Sequence, residues 1–286
     1  MTTPTTPETQ PAPQEQPAPA PQAGFYTSPI PVRRATLGDA IASEWTKIRS
    51  VRSTMWTLGV MIVLLLGIGL LAAVAVNASG PGLESTPVLS FGFFGVLLGS
   101  ICVITLGVMT IASEYGTGMI RTTLTACPSR ARVLSAKAIV FFLLTFVITT
   151  VTTALVAVSQ TAIIDGAAPS GGDWLRATVG VGLYIAALGL LSLAIGALIR
   201  HSAGAITIMI GVVLLPLVLA MFMFSESLSG LRMKLFEYSI PNQLSAFYST
   251  SVAESGPSGW EPLWIMLGVA AVALIGAFAA LDRRDV

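Results

Sequence analysis

Residues 174–224 read WLRATVGVGLYIAALGLLSLAIGALIRHSAGAITIMIGVVLLPLVLAMFMF, two long apolar runs parted only by Arg200, His201 and Ser202. A helix needs about 20 residues to cross the hydrocarbon core, and a single helix of about 50 residues suits no bilayer. The polar triplet therefore predicts a sharp turn at a membrane face, with spans over 174–199 and 203–224 on either side.

Working outward, the same reading predicts further spans over 56–77, 88–112, 138–164 and 262–281, for six in all. None of them carries an ionisable side chain in its middle. Charges in the bilayer core are costly and are kept there chiefly for ion coupling, proton relay or catalysis. An ion-coupled carrier or channel is thus disfavoured, and any energy for work must enter through the loops. Composition agrees: 54% of the chain is hydrophobic and only 10% charged, against about 25% charged in soluble domains. The expected fold class is all-α integral membrane. Pro216 should kink the fifth span, and the glycines at 92, 95, 99 and 196, with Ser192, allow close helix approach.

Lysine and arginine set the orientation. Twelve of the 15 lie before the first span, in the second–third and fourth–fifth connections, or after the sixth span. Arg176, Arg232 and Lys234 are the exceptions. The positive-inside rule then places both termini in the cytoplasm, and the expected location is the cell membrane. Two domains are expected. Residues 1–31, rich in Pro, Thr, Gln and Ala, lack the apolar content to fold and read as a disordered cytoplasmic tail. The tail also lacks the pattern of a signal peptide, so the first span should act as an uncleaved anchor. Residues 32–286 form the membrane domain.

Leu37, Ile41, Trp45, Ile48 and Met55 recur at helical spacing, with Asp39, Glu44, Lys47, Arg49 and Arg52 mostly off that stripe. This predicts an amphipathic helix lying in the membrane interface, apolar face down. Between the second and third spans, Glu114 closes one helix and Gly116 and Gly118 break it. Residues 119–125 can form a short helix, which Cys127-Pro128 stops. Ser129 can cap the helix that follows, and Arg130, Arg132 and Lys137 mark its cytoplasmic end. A short helix pinned by breaks at both ends can pass a rigid-body push to two spans at once. Beyond the fifth span, Leu228, Leu231, Leu235 and Phe236 suggest an amphipathic piece, and Pro241 starts another.

Catalytic signatures are missing. His201 is the single histidine, too few for a converging base or ligand set. None of the three lysines follows a Gly-x-x-x-x-Gly-Lys-Ser/Thr loop, so the chain has no phosphate cradle of its own. Cys102 and Cys127 read as packing residues. The expectation is a non-enzyme with no metal or cofactor of its own and no nucleic-acid partner.

Glu114-Tyr-Gly-Thr-Gly with Arg121, then Pro128-Ser-Arg130 and Lys137, resembles the cytoplasmic loop of type-2 permeases of ATP-binding-cassette (ABC) transporters. The helix around Glu44-Trp45-Thr-Lys47-Ile-Arg49 and the six spans are similar to theirs as well. The resemblance covers about residues 36–284. It implies an amphipathic connecting helix, carrying Glu44, Trp45, Lys47 and Arg49, and a coupling helix seated in a separate ATPase subunit. Glu114, Gly116, Thr117, Gly118, Arg121, Pro128 and Arg130 fall in that coupling element, and Glu114 could hold it by pairing with a nearby Arg or Lys. It also implies a second permease subunit, giving a homodimer, with ATP used by the partner ATPase. The expected function is the translocation path of an exporter. The alternative is a membrane component on which an ATPase does mechanical work without transport.

Overall fold

In the computed structural model, the structure describes residues 35–78, 87–250 and 255–283. The Pro-rich tail, Arg33, Arg34 and Arg284 lie outside the described residues. Those described are helical, with no strand among them, and six helices are long and apolar enough to cross a membrane.

The chain opens with α1 (Leu37–Ser50), started by Thr36, whose hydroxyl accepts the Asp39 N–H while Asp39 reaches back to the Thr36 N–H. An extended Val51 separates it from α2 (Arg52–Ala78), the first span. Met55 therefore belongs to the span and not to the amphipathic helix. A short tight turn over Val88–Gly92 leads into α3 (Phe93–Gly116), then α4 (Met119–Ala126) and α5 (Arg130–Ile163). The third span's helix begins at Arg130, eight residues outside the apolar run that starts at 138. Ser129 caps it as expected, accepting the Arg132 N–H at 3.3 Å, and nothing between them breaks a helix.

The fourth span is composite: α6 (Gly171–Leu175), a wide π turn over Arg176–Gly180, and α7 (Val181–Ile199). Arg200 then takes a left-handed backbone (φ 58°) and His201 caps α8 (Ser202–Phe222), its Nδ1 accepting the Gly204 N–H at 3.1 Å. This is the sharp turn that the polar triplet requires. α8 runs unbroken through Pro216. A short turn leads to α9 (Ser229–Glu237) and α10 (Ile240–Ala246), and α11 (Glu261–Arg283) is the sixth span.

Alternating direction gives the bundle two ends. One, the basic end, carries α1, α4, the α7–α8 turn and the end of α11. At the far end lie α6, α9 and α10. α7 is the hub, with α3, α5 and α11 packed around it. Tyr184, Leu188, Leu193 and Ala194 on α7 are fully enclosed. Small residues let the backbones meet: a Cβ on Gly107 of α3 would lie 2.6 Å from the Gly189 carbonyl oxygen of α7, and one on Gly196 3.0 Å from that of Val108. Gly107→Val is therefore expected to destabilise the bundle by about 3 kcal/mol, the upper part of the overpacking range. A lowered thermal midpoint in detergent would show it; an unchanged midpoint would count against this packing.

The outward faces of α2, α8 and α11 are apolar, with Val63, Leu71, Leu215, Phe222 and Val272 exposed. Trp56 is exposed near the basic end and Trp264 near the far end, where amphipathic rings suit a membrane interface. The segment after the fifth span departs from its expected pattern. Leu228 and Leu231 of the turn and α9 are exposed, whereas Leu235 and Phe236 are half-buried where α9 meets α8. The next piece, α10, is buried throughout. Phe247, which ends it, packs edge-on against Tyr184 of α7 and Trp260 before α11. Gln243 accepts from the Tyr184 hydroxyl at 3.3 Å and donates to the Tyr238 carbonyl at 2.8 Å, satisfying a polar side chain at depth.

Candidate functional site

At the basic end the chain reverses twice within a few residues. α3 closes at Gly116, Thr117 donates its N–H to the Ser113 carbonyl, and Gly118 adopts φ 73°. That left-handed backbone is the usual place for glycine after a helix, and it turns the chain into α4. At the other end Cys127 is extended and its N–H closes on the Thr123 carbonyl at 2.9 Å. Pro128 and the Ser129 cap follow. α4 buries Ile120 and leaves Met119, Arg121, Thr122 and Thr125 exposed. It is a short rigid rod with one face in the bundle and one face open.

Beneath this rod four charged side chains from three helices converge. Lys137 of α5, only 1% exposed, donates to Glu44 Oε2 of α1 at 2.8 Å and to Glu114 Oε1 of α3 at 2.6 Å. Lys47 of α1 donates to Glu44 Oε1 and Glu114 Oε1, each at 2.8 Å, and to Thr123 Oγ1 of α4 at 3.3 Å. Lys137 also reaches the Thr110 carbonyl at 3.3 Å. Two carboxylates and two ammoniums balance, which buried charge requires. Burial pulls the Lys47 ammonium down, but its hydrogen bonds to Glu114 and Glu44 and their charges outweigh this and leave it above the ordinary lysine value. Lys47 is therefore charged at neutral pH, and its contribution fades only as pH rises through that raised value.

Other ties surround the cluster. The Arg200 guanidinium lies 4.8 Å from the Tyr115 ring centre, joining the α7–α8 turn to the end of α3. Arg132 Nη1 donates to the Ala35 carbonyl at 2.6 Å, holding the start of α1 on α5.

The sequence-derived residues divide accordingly. Glu44, Lys47 and Glu114 meet in the cluster, so the expected Glu114 pairing has two lysine partners. Gly116, Thr117, Gly118, Arg121 and Pro128 lie exposed along the elbow and α4. Arg130 goes elsewhere: its Nη1 donates to the Leu281 carbonyl of α11 at 2.6 Å. Trp45 and Arg49 sit on the exposed side of α1. The side assigned to solvent needs correcting, because Glu44 is buried beside Ile48 and Lys47 is turned inward with it. Its charge partner, not its hydropathy, decides that placement. Sequence reasoning missed Lys137 and Thr123 as site residues. The signal for Lys137 was a lone lysine at the threshold of an apolar run, opposite Glu114 across the loop.

α1 and α4 thus share one ionic core with the ends of two spans. Comparison with known proteins agrees with this architecture. No curated protein matches the chain. The family model described as ABC-2 family transporter protein matches residues 40–242, from within α1 to α10 and through the whole elbow. That match takes in more than half of a multi-pass membrane chain, and the protein belongs to the ABC-2 transporter family as a permease subunit.

Proposed function

We infer that this permease exports a cargo across the cell membrane, driven by a separate ATPase that docks on α4 from the cytoplasm. The carrying observation is the open face of α4, pinned at both ends by chain breaks and bonded through Lys47 to α1 and α3. Closure of the ATPase would push α4, and the ionic cluster would pass that movement to the first three spans through α1, α3 and α5. The basic end is then cytoplasmic, consistent with the charge asymmetry, and both termini lie on that side. The chain brings no catalytic residues, metal or cofactor, and ATP is spent in the partner. A second copy of the chain completes the path, and the uncovered apolar faces of α2 and α8 give it room to pack.

Co-purification tests the docking. The double substitution Met119→Ala with Arg121→Glu changes two exposed α4 side chains and leaves the cluster alone. It should lower recovery of the ATPase subunit by about tenfold or more, as loss of interface anchors does. Undiminished recovery would remove α4 as the docking face. Cargo-stimulated ATP hydrolysis in vesicles would then separate transport from purely mechanical work.

A further inference from the structure

The far end contains a cavity of about 300 Å³ between the start of α3, the end of α8 and the α9–α10 segment. Phe91, Phe94, Phe236 and Leu217 supply apolar walls, and none of the described residues that line it is charged. Two of its polar residues are buried and incompletely bonded. Asn242, 5% exposed, donates from Nδ2 to the Glu237 carbonyl at 3.1 Å. That bond fixes the amide, and its Oδ1 has no donor among the described residues. Ser90, 8% exposed, likewise has no partner for its hydroxyl among them.

Asn242 Oδ1 opens into this apolar cavity without a donor among the described residues, and a carbonyl in such surroundings gains from one, so an occupant that supplies a donor is favoured. A charged ligand would be desolvated with no counter-charge. A purely hydrocarbon ligand would leave Asn242 Oδ1 bare. Phe94 is 57% exposed, and its neighbours Leu98 on α3 and Val218 on α8 are exposed apolar residues, so the approach is from the bilayer. We propose that this cavity binds a neutral, membrane-dissolved amphiphile whose hydroxyl or amide N–H donates to Asn242 Oδ1, its apolar body lying among Phe91, Phe94 and Phe236. The site stands on the cavity alone and does not depend on the coupling reading.

Photolabelling of the full chain in liposomes with 3-azioctanol, a neutral alcohol, tests it by peptide mapping. Labelling at residues 90–94 and 236–245 should saturate, and 1-octanol should compete at about tenfold lower concentration than octanoate, as one hydrogen bond and an unpaired charge dictate. Asn242→Leu should weaken saturable labelling by about tenfold. Because that change also removes the bond to Glu237, Ser90→Ala and Phe94→Trp serve as milder variants, and both should reduce it. Adducts spread without saturation over α2 and α11, meaning bilayer partition only, would overturn the site. So would equal competition by octanoate, or undiminished labelling in both milder variants. Glu114→Lys, at the opposite end, should leave the labelling in place, so failure here and failure of coupling are separable.

Discussion

Glu114→Lys is expected to leave the six spans inserted and to abolish transport. The substitution converts two carboxylates and two ammoniums into one carboxylate facing three ammoniums. Breaking a buried pair by removing one partner costs about 3–5 kcal/mol, and two like charges 4 Å apart add up to about 4 kcal/mol at an effective dielectric of 20. The bundle can escape most of this cost without unfolding. α3, α5 and α11 pack on α7 along their lengths, whereas α1 and α4 rest on the bundle chiefly through the cluster, Ile48, Ile120 and Arg132. The expected outcome is release of α1 and α4, with transport down by more than about a hundredfold, the equivalent of about 3 kcal/mol. The exchange Glu114→Lys with Lys137→Glu restores the charge count and should recover a measurable part. ATP-driven transport in proteoliposomes carrying the ATPase partner checks both. Wild-type transport by the single variant would end the role assigned to the cluster.

The spans were legible because bilayer thickness and an unbroken apolar run leave one solution, and Arg200-His201-Ser202 forced a turn where the chain makes one. The Ser129 cap marked the start of α5 in the sequence, outside the apolar run of the span itself. Arg130 to Lys137 holds no breaker, and Arg and Lys are good helix formers, so α5 simply continues outward from the apolar run. Glu44 was read from periodicity, which registers only local spacing. Its position is set by Lys137, 93 residues away, and no pattern within α1 contains that information. The elbow was legible for the opposite reason: Gly116, Gly118, Pro128 and Ser129 act on their own backbones. α10 lay between these cases. Asn242, Gln243 and Ser245 look like loop chemistry, yet they are buried, because each donates to a backbone carbonyl and Gln243 also accepts from Tyr184.

Gly118→Val should uncouple the permease while leaving its bundle stable, and the two elbow glycines should differ sharply. A Cβ at Gly118 would meet nothing within 4 Å, yet the residue holds φ 73°. Space is therefore not the constraint; backbone conformation is. A left-handed residue with a side chain costs about 1–2 kcal/mol, and a β-branched one is a genuine outlier there. Asn adopts that region routinely. Valine relieves its strain by re-aiming α4, whose hold on the bundle is limited, with Ile120 its one buried residue and the Thr123–Lys47 bond beside it. A loss of about tenfold in cargo-stimulated ATP hydrolysis is expected for Gly118→Val, as about 1.4 kcal/mol implies, with an unchanged thermal midpoint. Gly118→Asn should stay within about threefold of wild type, because the turn survives. Gly116 ends α3 with ordinary helical geometry and equally open space around it. Gly116→Val should accordingly be tolerated, although both glycines looked alike as helix breakers. Equal damage at the two positions would mean that surface shape for the partner, and not the direction of the chain, is what this elbow supplies.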